Sequence, residues 1–188
     1  MEKIDAQIEK IENELEVLQK NFDEAHELSR EMIRNAAKMI TYIHNDNKTG
    51  IELISKNIEI LHKKLKAFEE RFRYIIIQAY QEMAEARIFY EIKINEHIPT
   101  PDEIGIDYES YILGLMDVVG ELKRELLNAL RKNCIDDAKR YFNYMEYIYD
   151  ATRSIRFAEA ILPGFRKKQD VARIQIENAG SDILKHNK

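Results

Sequence analysis

The sequence is poor in the residues that break helices or cross-link a chain. It has 188 residues, with one cysteine, three prolines, six glycines and no tryptophan. The single cysteine, Cys134, excludes an intramolecular disulfide and any cysteine-based zinc cluster. Glu, Lys, Ile, Leu and Ala dominate what remains, a composition that is typical of long helices. We therefore predict an all-α protein that forms a single domain over residues 1–188.

Two further absences concern location and partners. No stretch approaches the roughly 18 apolar residues of a membrane span. Met1 is followed by Glu-Lys-Ile-Asp rather than by the basic segment and apolar core of an export signal, so the sequence predicts a cytoplasmic protein. The formal net charge of −5 gives no global attraction to nucleic acid. A site for a polyanion therefore has to be a local basic patch.

Apolar residues recur at helical spacing along most of the chain. Over residues 1–44 they alternate steps of four and three, which predicts one helix of about forty residues that ends in the polar segment 45–50. Further helices are predicted at 51–90, 108–132, 136–162 and 166–184, with a connector containing one short helical turn at 97–107. The expected fold is an elongated bundle of about six to seven helices with two long N-terminal ones. Because the first helix is longer than a small domain, we expect part of its apolar face to contact another subunit.

Two pairs of acidic residues lie within these helices. Glu82 and Glu85 are in a segment that is apolar nearly all round, and Asp117 and Glu121 lie about 40° apart on one helix face. A buried carboxylate is costly unless a cation, a proton or hydrogen-bond donors compensate it. The four carboxylates therefore predict a site for one or two divalent cations that prefer oxygen ligands, Mg²⁺ or Mn²⁺. A solvated helix face is an equally open interpretation of the second pair.

Two glycines accompany the second acidic pair. Gly114 and Gly120 lie inside the helix predicted at 108–132, where a glycine costs about 1 kcal/mol relative to alanine. Their presence predicts that another backbone approaches closely beside Asp117 and Glu121.

Basic residues precede the acidic segment. Arg30, Arg34 and Lys38 repeat every four residues and form a stripe that could contact nucleic-acid phosphates, although a solvated face is the simpler interpretation. Arg71 and Arg73 are further candidates for contacts with a nucleic-acid backbone, although surface or ion-paired arginines are the default interpretation. The sequence contains no glycine-rich phosphate loop, HExxH motif or nucleophile elbow. P-loop and acyl-transfer chemistry are therefore not supported.

Four short motifs are spread over most of the chain. They are Leu28-Ser29-Arg30-Glu31, Gln81-Glu82-Met83-Ala84-Glu85-Ala86, Tyr111-Ile112-Leu113-Gly114 followed by Asp117-x-x-Gly120-Glu121-Leu122, and Ile148-Tyr149-Asp150. Together they resemble the translin family, in particular its Trax (translin-associated factor X) branch. Trax proteins carry the catalytic carboxylates of a metal-dependent ribonuclease at the positions matched by Glu82, Glu85, Asp117 and Glu121. Translin has apolar residues at most of these positions.

The resemblance implies a fold, a substrate and an assembly. It implies an all-helical protein that hydrolyses RNA, single-stranded or a small duplex, with Mg²⁺ or Mn²⁺ inside a closed, roughly octameric shell. In eukaryotes that shell mixes translin with Trax and removes the passenger strand of small RNAs, so a translin-like partner subunit is one option. The long apolar face of the first helix favours a homo-oligomer instead.

Two other functions stay open at this point. The first is a non-catalytic, translin-like oligomer that binds RNA or DNA through Arg30, Arg34, Lys38, Arg71 and Arg73. The second is an all-α nucleoside triphosphate pyrophosphohydrolase, which also uses Glu-x-x-Glu on one helix. Its second motif normally reads Glu-x-x-Asp rather than Asp-x-x-x-Glu, which makes it the less favoured of the two.

Overall fold

All regular structure in the described part of the chain is helical. The computed structural model describes residues 2–186. Its helices are α1 (Glu2–His44), α2 (Lys48–Leu65), α3 (Glu69–Asn95), the short α4 (Pro101–Ile104), α5 (Tyr108–Arg131), α6 (Ile135–Thr152) and α7 (Phe165–His186), with a 3₁₀ turn at Lys66–Phe68. The predicted all-α helical bundle is confirmed. Across residues 2–186, no helix combines the length and apolarity that crossing a bilayer requires.

Helix α1 is one continuous element, as predicted, but its two halves have different surroundings. In the C-terminal half, Met32, Ala36 and Ile43 are buried in the core. In the N-terminal half, Ile8 and Leu15 are 49% and 56% exposed, although they continue the same apolar spacing. The expectation that this half contacts another subunit stays a prediction.

The prediction of one helix over 51–90 is wrong, because the chain turns back on itself between α2 and α3. The backbone leaves helical geometry at Phe72 (φ −120°, ψ 26°). Beyond the bend, Tyr80 packs edge-on against His62, with ring centroids 5.2 Å apart, so α3 lies alongside α2. This reversal brings the apolar segment of α3 into the centre of the bundle, where ten residues of the helix are buried. A straight continuation would leave that surface in water.

Helices α3 and α5 run parallel, joined by the predicted connector. Thr100 and Glu103 form a capping box that starts α4, and the Asp107 side chain caps α5 by accepting a hydrogen bond from the Ser110 amide. Contacts then advance in the same direction along both helices: the Gln81 amide reaches Asp117, and Lys93 reaches Glu125 further on. This register places the two acidic segments opposite each other.

Helix α6 ends at Thr152, ten residues before the predicted end at Pro163-Gly164. The Thr152 carbonyl, which would continue the helix, instead accepts a hydrogen bond of 2.8 Å from the Gln169 side-chain amide. Both side chains are buried, so this bond anchors the start of α7 against the end of α6. Residues 153–164 form turns, and α7 then packs against α5 and α6.

Candidate functional site

The candidate site lies where α3 and α5 touch, and Gly114 is the residue that permits the contact. A Cβ atom at Gly114 would lie 2.5 Å from the Gln81 carbonyl oxygen and 2.7 Å from the Ala84 Cβ. Neither atom can move away without moving α3, so the close backbone approach predicted for Gly114 is confirmed. The same prediction for Gly120 is wrong, because a Cβ there would meet only the Gln175 side chain, at 3.4 Å.

The structure brings the four predicted carboxylates into one electrostatic cluster. We call Glu82, Glu85, Asp117 and Glu121 the carboxylate cluster. Burial raises the pKa of Glu85 to about 8, and the negative charges of Asp117, Glu82 and Glu121 add to the effect while Lys168 opposes it. Burial and the charge of Asp117 also raise the pKa of Glu82. Within residues 2–186 neither glutamate receives a hydrogen bond or forms an ion pair, so their charge is not compensated by contact.

Asp117, in contrast, has two partners. The Lys168 ammonium lies 2.5 Å from Oδ1 and 2.7 Å from Oδ2 of Asp117, and the Gln81 amide donates to Oδ2 at 2.7 Å. Lys168 comes from the first turn of α7. Sequence reasoning did not identify it, because only the packing of α7 against α5 brings it to the site.

Glu121 is held by a histidine at the end of α1. His44 contacts Glu121 through Nε2 and Glu125 through Nδ1. Burial alone would lower the pKa of His44, but hydrogen bonds to the two glutamates outweigh it and the pKa is raised. Because both ring nitrogens contact carboxylate oxygens, the protonated form of His44 donates to both carboxylates. Lys93 completes this ion-pair network, with its ammonium 2.9 Å from Glu125.

The donor set suits a hard divalent cation, but the side chains are not gathered as ligands. Carboxylate oxygens are what Mg²⁺ and Mn²⁺ prefer, and the uncompensated charge of Glu82 and Glu85 would favour a cation. In the stretch from residue 2 to residue 186, however, no three His, Cys, Asp or Glu side chains are grouped as they are around a metal ion. Two of the four carboxylates are engaged elsewhere, Asp117 by Lys168 and Glu121 by His44. The metal site stays a prediction.

The basic residues predicted to contact RNA fall into two groups. Arg30, Arg34, Lys38 and Arg71 are exposed, so their charges are open to a polyanion. Arg73 differs from the prediction because its guanidinium lies 2.8 Å from Asp107 and 2.7 Å from Glu109. These ion pairs tie α3 to the start of α5 and already compensate the charge of Arg73.

A separate cavity lies away from the carboxylate cluster. It has a volume of about 620 Å³, lies beside the α2–α3 bend and is lined by, among others, Tyr80, Arg73 and Asp107. Several of its polar groups pair with one another, since Tyr80 donates to Glu69 at 2.5 Å and Arg73 pairs with Asp107. The half-buried carboxylates without a hydrogen-bond partner in the part of the chain that the structure describes, Glu82 and Glu85, lie in the carboxylate cluster and not in this cavity.

Fold and site together define an all-helical protein in which two parallel helices, α3 and α5, place their acidic residues opposite each other. The Translin family model matches residues 1–179, and the chain belongs to the translin family. Uncharacterized protein MJ0175 of Methanocaldococcus jannaschii is 35% identical over 168 residues, which cover 86% of this chain and 74% of that protein.

Solved structures support the same assignment. The complex of AfC3PO with duplex RNA is 29% identical, with a TM-score of 0.87 over 96% of both chains. The crystal structure of AfC3PO is 30% identical, with a TM-score of 0.89 over 96% of this chain and 97% of that one. Apo-NeC3PO, at 21% identity, has a TM-score of 0.89 over 95% and 96% of the two chains, a similarity that concerns the fold alone.

Proposed function

We propose that this translin-family protein binds RNA and hydrolyses its phosphodiester bonds at the carboxylate cluster with Mg²⁺ or Mn²⁺. The observation that carries the proposal is the pair of half-buried glutamates, Glu82 and Glu85, whose charges have no partner in residues 2–186 and whose pKa values are raised by burial and by Asp117. A fold retains such charges at a cost in stability. A function that brings a cation to them accounts for that cost.

The choice of RNA rests on similarity and on the exposed basic residues. AfC3PO, 29% identical to this chain, has been solved with duplex RNA. Arg30, Arg34 and Lys38 on α1, together with Arg71 on α3, are positioned on the surface where a phosphate backbone can reach them.

Each member of the site has a separate task in this proposal. Glu82, Glu85, Asp117 and Glu121 would hold the divalent cation, which supplies positive charge against the phosphodiester and a lowered pKa for the attacking water. Gln81 orients Asp117 through its hydrogen bond to Oδ2. His44 holds Glu121 and ties the site to the end of α1. Gly114 sets the separation of α3 and α5.

Cleavage of RNA by the purified protein tests the proposal. Labelled single-stranded RNA and a short duplex are incubated with Mg²⁺, Mn²⁺ or EDTA. We expect cleavage that EDTA abolishes and that Glu85→Ala reduces by about 100-fold or more, since loss of a group that only supports a metal ligand already costs about 10- to 100-fold. Glu91→Ala is the matched control, because Glu91 lies on the same helix and forms a hydrogen bond with Asn95 instead. Cleavage that persists both in EDTA and in Glu85→Ala removes the proposal.

A non-catalytic RNA-binding oligomer is the second candidate, and the engagement of Asp117 and Glu121 by Lys168 and His44 favours it. It predicts that the wild-type protein binds RNA but does not cut it. In both candidates, replacing Arg30, Arg34 and Lys38 by alanine lowers the slope of log affinity against log salt by roughly 0.7 to 0.9 for each phosphate that the variant no longer neutralises. Binding by Glu85→Ala across salt concentrations, measured beside cleavage, separates the two.

The finer assignments are also proposals. Membership of the Trax branch is inferred from the four acidic positions, and the homo-octamer from the exposed apolar face of α1. Light scattering of the purified chain tests for eight subunits, and addition of a translin-like protein tests for a mixed shell. Assignment to the translin family favours RNA over nucleoside triphosphates as substrate, and turnover of a nucleotide panel checks this. The cytoplasmic location is also a prediction.

A further inference from the structure

Lys168 is the cation that contacts the carboxylate cluster on the α7 side. Its ammonium lies within 2.7 Å of both oxygens of Asp117, and its charge also opposes the raised pKa of Glu82 and of Glu85. The backbone beside it is fixed, because the next residue, Gln169, is buried and donates a hydrogen bond to the Thr152 carbonyl. The position of Lys168 at the site is therefore built into the packing of α7.

This contact sets up a competition. Asp117 accepts three hydrogen bonds, two from Lys168 and one from Gln81, so a divalent cation has to displace the ammonium to reach its oxygens. Two cations at one carboxylate also repel each other. The same ion pair holds the Asp117 carboxylate against Lys168, so this carboxylate is engaged before any divalent cation arrives.

An ammonium displaced from Asp117 can pair with a phosphate of the RNA. The side chain is only 26% exposed, and its anchored backbone keeps the charge beside the site while four flexible methylene groups let the ammonium move. RNA that enters next to four carboxylates brings further negative charge, and a lysine ammonium is a strong hydrogen-bond donor to phosphate oxygens.

We propose that Lys168 is an exchangeable counter-ion: it occupies Asp117 until a divalent cation displaces it, and the released ammonium then binds the RNA phosphate at the site. The inference rests on the proposed function, since it assumes the same cation and the same polyanion. Lys168 thus pairs with Asp117 before the divalent cation binds, and contacts the RNA phosphate afterwards. A permanent structural ion pair is the alternative.

Titration with Mn²⁺ alone tests the exchange without RNA. Free Mn²⁺ is followed by electron paramagnetic resonance for the wild type, Lys168→Met, Lys168→Arg and the control Lys167→Met, whose lysine is exposed on the same turn. Removing the competitor frees Asp117, so Lys168→Met is expected to bind Mn²⁺ about tenfold more tightly, the size of one charge-assisted hydrogen bond. An arginine can form two parallel hydrogen bonds with one carboxylate. Lys168→Arg is therefore expected to bind Mn²⁺ more weakly than the wild type. Lys167→Met should match the wild type.

RNA cleavage at saturating Mn²⁺ tests the second half of the proposal, the binding of the released ammonium to the RNA phosphate. Because Lys168→Met should bind the metal better, a fall in its kcat of about tenfold or more can be attributed to the missing ammonium–phosphate interaction and not to weaker metal binding. Lys167→Met serves again as the control and should retain the wild-type kcat. A Lys168→Met protein that cuts as fast as the wild type overturns this half.

The outcomes distinguish failure of the proposed exchange at Lys168 from failure of the proposed function. Mn²⁺ affinity that is equal or weaker in Lys168→Met, or no Mn²⁺ binding by any variant, overturns the exchange. If Lys168→Met does not fold, Lys168→Arg decides, because it keeps the charge and a Mn²⁺ affinity at or above that of the wild type contradicts the competition. A wild type that binds Mn²⁺ but cuts no RNA defeats the proposed function, while the Mn²⁺ titration still decides the exchange.

Discussion

Glu85 and Glu125 are two glutamates on facing helices with opposite surroundings. Glu125 is 7% exposed, and burial alone would raise its pKa, but hydrogen bonds and charges from His44 and Lys93 lower the pKa to about 2. Glu85 has no such donors among the described residues, and burial together with three neighbouring carboxylates raises its pKa to about 8. The same side chain is therefore held as an anion at one point and disfavoured as an anion at the other.

The difference separates a carboxylate that serves the fold from one that serves an external partner. Around Glu125, the ion-pair network supplies both cations from the chain itself. Around Glu85, the cation within residues 2–186 that opposes its raised pKa is Lys168, and that ammonium contacts Asp117. His44 joins the two regions, because it donates to Glu125 on one side and to Glu121 of the carboxylate cluster on the other. The ion-pair network around Glu125 thus holds one member of the carboxylate cluster, Glu121, in place through His44.

The same substitution should have opposite effects in the two regions, and the larger effect is expected at Glu125. Glu125→Gln removes the buried carboxylate that His44 and Lys93 share, and leaves His44 with Glu121 and Lys93 with the exposed Asp46. Loss of one partner from a buried ion pair typically costs about 3 kcal/mol. Urea denaturation at pH 7 in EDTA should therefore show a large loss in the free energy of unfolding for Glu125→Gln. Glu85→Gln, which removes a carboxyl group whose ionisation the fold disfavours, should be as stable as the wild type or more stable.

The pair of variants provides its own control, since both replace a glutamate by glutamine on the central helices. Equal destabilisation by both would mean that the two glutamates are equally well paired. That result would remove the contrast on which the function is argued.

The pH dependence of stability should show the contrast with a smaller effect. For Glu85 the pKa is raised in the folded protein, so its unfavourable contribution is absent below the unfolded pKa of about 4.5 and grows as the pH rises toward about 8. Between pH 5 and pH 8, in EDTA, the wild type should lose about 2 kcal/mol more stability than Glu85→Gln, at about 1.4 kcal/mol for each unit of pKa shift and with a discount for solvent and neighbouring charges.

His44 and Glu125 also change the stability with pH, and they determine the pH range in which the effect of Glu85 can be measured separately. The raised pKa of His44 makes its contribution fall with rising pH as well, above about 6.5, but it is present in both proteins and cancels in the difference. The lowered pKa of Glu125 matters only below about pH 4.5, where its stabilising contribution is lost as the pH falls toward 2. Parallel stability curves for the wild type and Glu85→Gln between pH 5 and pH 8 would contradict a raised pKa at Glu85.

The sequence predicted the acidic half of the site better than the basic half. Glu82 and Glu85 were identified because charge inside an apolar helical run is itself a signal, and Asp117 and Glu121 because their spacing puts them on one helix face. Lys168 and His44 carry no such signal. A lysine in a basic segment and a histidine in the last turn of a helix are ordinary surface residues until packing brings them against Asp117 and Glu121.

The fold shows the same limit. Helix bounds were predicted well where polar segments, prolines or glycines mark them, as at residues 45–47 and in the connector before α5. The reversal at Lys66–Phe72 has neither proline nor glycine, and at the end of helix α6 the Thr152 carbonyl accepts a hydrogen bond from Gln169 of α7. Both features are imposed by partners distant in sequence, so a local pattern does not reveal them.

The smallest predicted effect tests the packing that brings the two acidic segments together. Gly114 and Gly120 look alike in sequence, but a Cβ at Gly114 would lie 2.5 Å from a backbone oxygen of α3, whereas at Gly120 it would meet the Gln175 side chain at 3.4 Å. Gly114→Ala should therefore destabilise the protein by about 1 to 2 kcal/mol through overpacking. Gly120→Ala should be neutral or should stabilise by up to about 1 kcal/mol, because alanine favours the helix.

Thermal melts of both variants check the stability, and RNA cleavage checks the site. If α3 and α5 must touch at Gly114 for Glu85 and Asp117 to share a cation, Gly114→Ala should lose activity in excess of its loss of folded protein at the assay temperature. Gly120→Ala should keep it. A Gly114→Ala protein that is destabilised yet fully active would mean that the close approach serves only the packing of the bundle, because the carboxylates would then tolerate a change in helix separation that a shared ligand set does not.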